Sequence, residues 1–148
     1  MDKALVAGGA MLLAGGLVAL QAPVNAVLGR SIGSLPAAWV NFGTGFLALT
    51  VLVLLVGGGF GDMGKISSVP WWALIGGMLG VVYVSSALLA VPTLGAGGVT
   101  AATIAGQLTL SLVLDKLGAF GLDERAVSVP RMLGVVLLVV GTFLVIRE

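Results

Sequence analysis

The 148-residue chain contains no cysteine and no histidine. The first absence excludes disulfides and thiol chemistry, and the second excludes imidazole-based acid–base work. Together they remove the usual zinc and haem ligands. Charge is scarce as well: Asp, Glu, Lys and Arg make up 9% of the chain, against about 25% in a soluble domain. The seven Lys and Arg residues are scattered and the net charge is only +1, so no basic patch exists to hold a nucleic acid. No conventional set of catalytic groups is present either. The chain reads as a non-enzyme with no metal and no cofactor.

What is there in quantity is apolar. Hydrophobic residues make up 59% of the chain and the mean hydropathy is +1.20. That leaves too little polar material to cover a globule in water, so lipid is the expected solvent for most of the surface. The 24 glycines follow no three-residue period. Their expected use is close helix approach within a membrane. A length near 150 suggests one domain, 1–148.

Charge-free runs mark the spans. Residues 4–29 form the first, between Lys3 and Arg30. Gln21, Pro23 and Asn25 read as part of a long membrane helix, not of a cleaved leader. Residues 35–56 form the second, with Pro36 near its first turn and Gly57-Gly58-Gly59 as its stop. The 49 residues from Ile66 to Leu114 carry no charge, which is too long for one span. The expected break is Val91-Pro92-Thr93-Leu94-Gly95, giving helices over 71–90 and 95–114. A polar stretch from Asp115 to Ser128 precedes a fifth helix over 130–146, with Ser128 and Pro130 placed to start it. The runs are continuous where barrel strands would alternate, so the fold class is all-α: a polytopic membrane protein of about five transmembrane helices. Five basic residues (Lys3, Lys65, Lys116, Arg125, Arg131) fall on one side and two (Arg30, Arg147) on the other, favouring an inside N-terminus. The bias is modest enough that insertion in both orientations stays open.

Polar side chains inside spans are costly and face a neighbouring helix or an aqueous path. Gln21 and Asn25 lie four apart on one face of the first helix; they contact substrate or bond a neighbouring helix. Asn41 and Gly45 share a face of the second, with Asn41 the stronger site candidate. Trp72 and Tyr83 lie on roughly one face of the third. Trp72 reads as an interfacial anchor or a pathway residue, and Tyr83 as a stacking surface or a partner for another helix. On the fourth, Thr100, Thr103, Gln107 and Ser111 form a narrow stripe that Asp115 extends. That stripe faces a cavity or a subunit contact, with the cavity preferred. Asp115 is a solvated helix end or a coupling group. No titratable residue sits securely in mid-span.

Taken in order, these segments resemble one family. They are Gln21-Ala-Pro-Val-Asn25-Ala-Val-Leu-Gly-Arg30, Gly33-Ser-Leu-Pro-Ala-Ala, Asn41-Phe-Gly-Thr-Gly45, Pro70-Trp-Trp, Gly76-Gly-Met-Leu-Gly-Val-Val-Tyr-Val, Ala90-Val-Pro-Thr-Leu-Gly95, Gly106-Gln-Leu-Thr-Leu-Ser111, Asp115-Lys-Leu-Gly-Ala-Phe-Gly121 and Arg131-Met-Leu-Gly134. The chain is similar to the YdcZ-like small membrane proteins of the drug/metabolite transporter superfamily. The resemblance implies a multi-pass protein of the bacterial inner membrane, a five-helix half of an inverted-repeat transporter. It also implies an antiparallel homodimer, or a heterodimer with a related half-transporter, that exports a small metabolite. An odd span count agrees, because a second copy of five spans would be inverted. The small multidrug-resistance relatives use a glutamate in the first helix, which this chain lacks, and that absence weighs against proton-coupled export of cations. The expected site (Gln21, Asn25, Asn41, Trp72, Tyr83, Thr103, Gln107, Ser111) offers amide, hydroxyl and aromatic groups, suited to a neutral or zwitterionic solute. Competing readings are a small passive channel and a non-transporting membrane subunit.

Overall fold

The computed structural model describes residues 2–147, so Met1 and Glu148, the ends of the expected domain, lie outside it. The described residues contain helices and turns and no strand. Helix α1 spans Lys3–Ile32 and is capped by Asp2, whose Oδ1 accepts from the Ala4 N–H at 3.0 Å. Its 30 residues reach about 45 Å, more than the roughly 30 Å hydrocarbon core. Pro23 lies inside this helix without ending it.

A single residue turns the chain into α2 (Ser34–Leu55). Gly33 adopts φ 91° and ψ 153°, donates its N–H to the Gly29 carbonyl at 2.9 Å, and accepts from the Ala37 N–H at 3.0 Å. That conformation is essentially open only to glycine, so Gly33 closes one helix and opens the next. After α2, Gly58 and Gly59 take positive φ and the chain passes through two 3-10 turns, Met63–Ser68 and Trp71–Leu74. The third helix was expected from Trp71; the α-helix instead starts at Gly76.

Helix α3 runs over Gly76–Leu117, 42 residues and about 63 Å if straight, twice the hydrocarbon thickness. Pro92 lies within it, and the non-helical residue is Gly95, with φ 68° and ψ 170°. The expected third and fourth helices are therefore two arms of one helical stretch, 76–94 and 96–117, and the break falls three residues beyond the proline. Leu117 is followed by a left-handed Gly118, a short 3-10 turn at Ala119–Gly121 and an extended connection. Helix α4 (Val129–Arg147) completes the chain, its first turn closed by the Met132 N–H on the Ser128 carbonyl at 3.1 Å. Among the described residues, four helices are long and apolar enough to cross a membrane.

The contacts group the chain into two compact units, 1–92 and 93–148. The N-terminal unit packs α1, α2 and the first arm of α3 around Ala37, Ala38, Val84 and Leu88, with Leu28 and Tyr83 against them. Small residues set the spacing: a Cβ on Gly29 would lie 3.1 Å from Leu88 Cδ2, and one on Gly80 3.5 Å from the Phe42 ring. The C-terminal unit is an antiparallel pair. Gly98 faces Ile146, the Thr142 hydroxyl donates to the Ala101 carbonyl at 3.1 Å, and Asp115 reaches Arg131 at 3.7 Å at the other end. Most large aliphatic side chains in both units point outward, as they do when the surroundings are lipid.

Candidate functional site

In the N-terminal unit, Gln21 from α1 and Asn41 from α2 line the same cavity of about 400 Å³. The one-residue turn explains how. Gln21 stands twelve residues before Gly33 and Asn41 eight after it, depths of about 18 and 12 Å along the two arms of the hairpin. The other walls are Phe42, Gly45, Phe46 and Leu49 of α2, and Gly77 and Val84 of the first arm of α3. Asn41, Gly45 and Leu49 recur every four residues, and Phe42 and Phe46 form the adjacent row, so one stripe of α2 supplies most of the wall. Where Gly45 and Gly77 lie, an added Cβ would meet nothing within 4 Å. Both glycines leave the cavity open.

The electrostatics of the cavity are simple. None of its lining residues carries a formal charge. The Asn41 Nδ2 is buried and has no hydrogen-bond partner, whereas the Thr44 hydroxyl donates locally to the Asn41 backbone carbonyl at 3.0 Å. A buried amide donor left without an acceptor costs about 1–3 kcal/mol. Such a group is informative, because packing alone gives no reason to keep it. Asn25, one turn beyond Gln21, is 7% exposed and sits between the buried Ala22 and Ala26 of α1.

The remaining candidates lie elsewhere. Tyr83 packs on the Ala37–Leu88 cluster and does not line the cavity. Trp72 stands in the 3-10 turn before α3 and stays partly exposed. Thr103, Gln107 and Ser111 are on the second arm of α3, in the C-terminal unit. Thr103 is half-buried, while Gln107 and Ser111 are exposed. The Ser111 hydroxyl donates back to the Gln107 carbonyl at 2.7 Å, the bond a membrane helix offers a serine with no other acceptor. Asp115 is in an ion pair with Arg131, and its backbone carbonyl also accepts from the Arg125 N–H at 2.9 Å.

Phe42, Phe46, Leu49, Gly77 and Val84 were not singled out from the sequence. The signal that could have found the first three is the α2 stripe, since they repeat beside Asn41 and Gly45 at helical spacing. Further cavities lie among the described residues. One of about 500 Å³ lies under the loop after α2, along Val53, Gly59 and Val69 with the Asp62–Lys65 pair at its edge. Another, about 480 Å³, is an apolar groove between the second arm of α3 and α4, along Thr109, Leu112 and Val136. Neither contains an unpartnered buried polar group.

Residues 6–144 match a family described as "Putative inner membrane exporter, YdcZ". The Escherichia coli (strain K12) inner membrane protein YdcZ is 40% identical over 90 residues, which are 61% of this chain and 58% of that relative. The aligned part of the chain thus spans somewhat more than half the relative's length. No solved structure matches.

Proposed function

Since the chain belongs to the YdcZ family of inner-membrane proteins in the drug/metabolite transporter superfamily, we propose that it moves a small metabolite across the membrane as one half of an inverted dimer. The observation that carries this reading is the cavity of the N-terminal unit, where the exposed Gln21 and the half-buried Asn41 border one otherwise apolar space among three helices. Lipid-facing helices have no use for that arrangement; a transported solute does.

The second copy is argued from the other unit. Gln107 is an exposed carboxamide on an arm otherwise made mostly of Ala, Ile, Leu and Val. A polar group of this kind in hydrocarbon needs a partner, and an interhelical contact supplies one. Thr103, Gln107 and Ser111 are then the surface on which a second copy, or a related half-transporter, closes the pathway. Counting the two arms of α3 separately gives five spans, an odd number that sets the two ends of the chain on opposite sides. Two oppositely inserted copies build the inverted repeat that alternating access requires. Asp115, paired with Arg131, acts as a helix-end group in this scheme and carries no coupling proton.

Two measurements test the reading. Single cysteines replacing Lys3 or Arg147, in a chain with no native cysteine, are expected to label from both faces of intact cells in comparable fractions. Lys3→Cys reactive only from inside, with Arg147→Cys only from outside, removes the inverted homodimer. Purified protein in liposomes is expected to give saturable flux. Flux that rises linearly with concentration identifies a channel, and its absence from every assembly identifies a non-transporting subunit.

A further inference from the structure

The cavity also restricts what can occupy it. We propose that the Asn41 cavity binds a neutral, flat solute bearing a carbonyl-type acceptor, with the acceptor on Asn41 Nδ2 and the flat body against Phe42 and Phe46. This rests on the transport reading for its purpose, though binding itself does not require transport.

Charge comes first. None of the residues around this cavity is charged, so an ion or zwitterion entering it would shed hydration with no counter-charge to replace it. A neutral solute sheds far less. Hydrogen bonding comes second. The buried Asn41 Nδ2 is a donor with nothing to donate to, and its complement is an acceptor such as an amide or ketone oxygen. Gln21, on the facing helix, adds a carboxamide that both donates and accepts. Shape comes third. Phe42 and Phe46 are one helical turn apart on α2 and so share a face, and both border the cavity. Phe46 is 69% exposed, so it forms an apolar rim and takes little part in the packed core. Gly77, which also borders the cavity, presents no side chain, and an added Cβ there would meet nothing within 4 Å. The lining thus combines two aromatic rings, two glycines and two carboxamides. About 400 Å³ lies within the range of small-molecule sites.

The test uses three single-ring probes of similar size: benzamide, benzoate and benzylamine, the last two charged at neutral pH. Binding to the full-length protein in lipid nanodiscs is measured by equilibrium dialysis, independently of flux. Benzamide is expected to bind at least about fivefold more tightly than either charged analogue, the factor expected for one well-made hydrogen bond. Asn41→Leu is expected to lose that margin and to raise the melting temperature, because it removes an unsatisfied buried donor at similar volume. Phe46→Ala, a change at an exposed rim, is expected to weaken benzamide binding without altering the melting temperature. Equal or tighter binding of benzoate or benzylamine overturns the neutral-solute assignment. An Asn41→Leu protein that binds benzamide as before, or that melts earlier, overturns the free-donor role of Asn41. Flux without the benzamide preference sinks this inference and leaves transport standing; benzamide binding without flux does the reverse.

Discussion

The two units of this chain differ in how much of their polarity they bury. The N-terminal unit buries Asn25, 7% exposed, and the Asn41 Nδ2, while Gln21 stays exposed where it borders the Asn41 cavity. The C-terminal unit leaves Gln107 and Ser111 exposed, while its groove between α3 and α4 is almost wholly apolar. Both units are made of the same apolar helices, so composition does not explain the contrast. The number of helices does. Three helices packed on Ala37 and Ala38 enclose a whole carboxamide, that of Asn25; two helices touching along one seam cover only the Thr142 hydroxyl on the Ala101 carbonyl. On the proposed reading, the buried carboxamide serves a solute and the exposed Gln107 serves another helix.

The sharpest way to break that comparison is to add bulk to each unit. Ala37 is fully buried among Val84 and Leu88, so Ala37→Leu has no free volume to enter. It is expected to destabilise the protein by about 1–3 kcal/mol, read as a lower melting temperature in detergent. Gly134→Leu in α4 makes the opposite case, because nothing lies within 4 Å of a Cβ there. It is expected to leave the melting temperature unchanged or to raise it, as a helix interior gains about 0.5–1 kcal/mol on losing a glycine. A large loss from Gly134→Leu would mean that α4 is already covered within a single chain.

The units share one device, a glycine in a conformation other residues avoid. Gly33 has φ 91° and ψ 153° and Gly95 has φ 68° and ψ 170°. Alanine at either position is expected to cost about 1–3 kcal/mol. The consequences differ. Gly33→Ala strains the turn that joins the Gln21 and Asn41 helices, so benzamide binding should fall together with stability. Gly95→Ala strains the break in α3 without touching the cavity, so the melting temperature should fall while binding per folded molecule holds.

Replacing one carboxamide in each unit sharpens the contrast further. Asn41→Leu should remove the benzamide preference and stabilise the fold. Gln107→Leu should leave the fold intact and weaken self-association by about 1 kcal/mol, the usual size of an interhelical polar contact in a membrane. Analytical ultracentrifugation in detergent measures the second effect. Self-association untouched by Gln107→Leu would remove Gln107 from the dimer surface.

Much of this organisation is legible in the sequence, and its gaps have physical reasons. The ends of α1 and α2 follow from Arg30, Gly33 and the Gly57–Gly59 stop, because charge and glycine act locally. The break in α3 is harder to read. Pro92 lacks one N–H, which a helix in apolar surroundings can tolerate, whereas Gly95 alone reaches the extended left-handed conformation that ends the regular turn. Trp71 was expected to open that helix, yet Pro70 and the tight turns after it give a 3-10 start, a difference of one hydrogen-bond register. In the site, polarity within an apolar run identified Gln21 and Asn41 as candidates. Only the packing shows that they share a cavity and that Tyr83 does not. The aromatic wall escaped notice because a phenylalanine in a membrane helix carries no signal on its own; its role comes from its neighbour at i−1 or i+3.

The smallest effects come from ion pairs, of which the described residues of each unit hold one. Lys65 and Asp62 lie 2.8 Å apart with side chains 76% and 82% exposed, three residues apart in one turn. Asp115 and Arg131 are farther apart at 3.7 Å, but their side chains are only 33% and 40% exposed and they join α3 to the start of α4. Distance alone would rank the first pair higher. Exposure and chain separation reverse the order, since water screens the first pair and the turn already holds its partners together. Asp62→Asn is therefore expected to shift stability by no more than a few tenths of a kcal/mol, and Arg131→Gln by up to about 1 kcal/mol. Raising the salt concentration should narrow the small gap between Arg131→Gln and the parent protein, measured as melting temperature across a salt series. A gap that does not narrow would mean that Arg131 acts by packing its stem against the helix pair, so that fit, not charge, holds that end of the C-terminal unit.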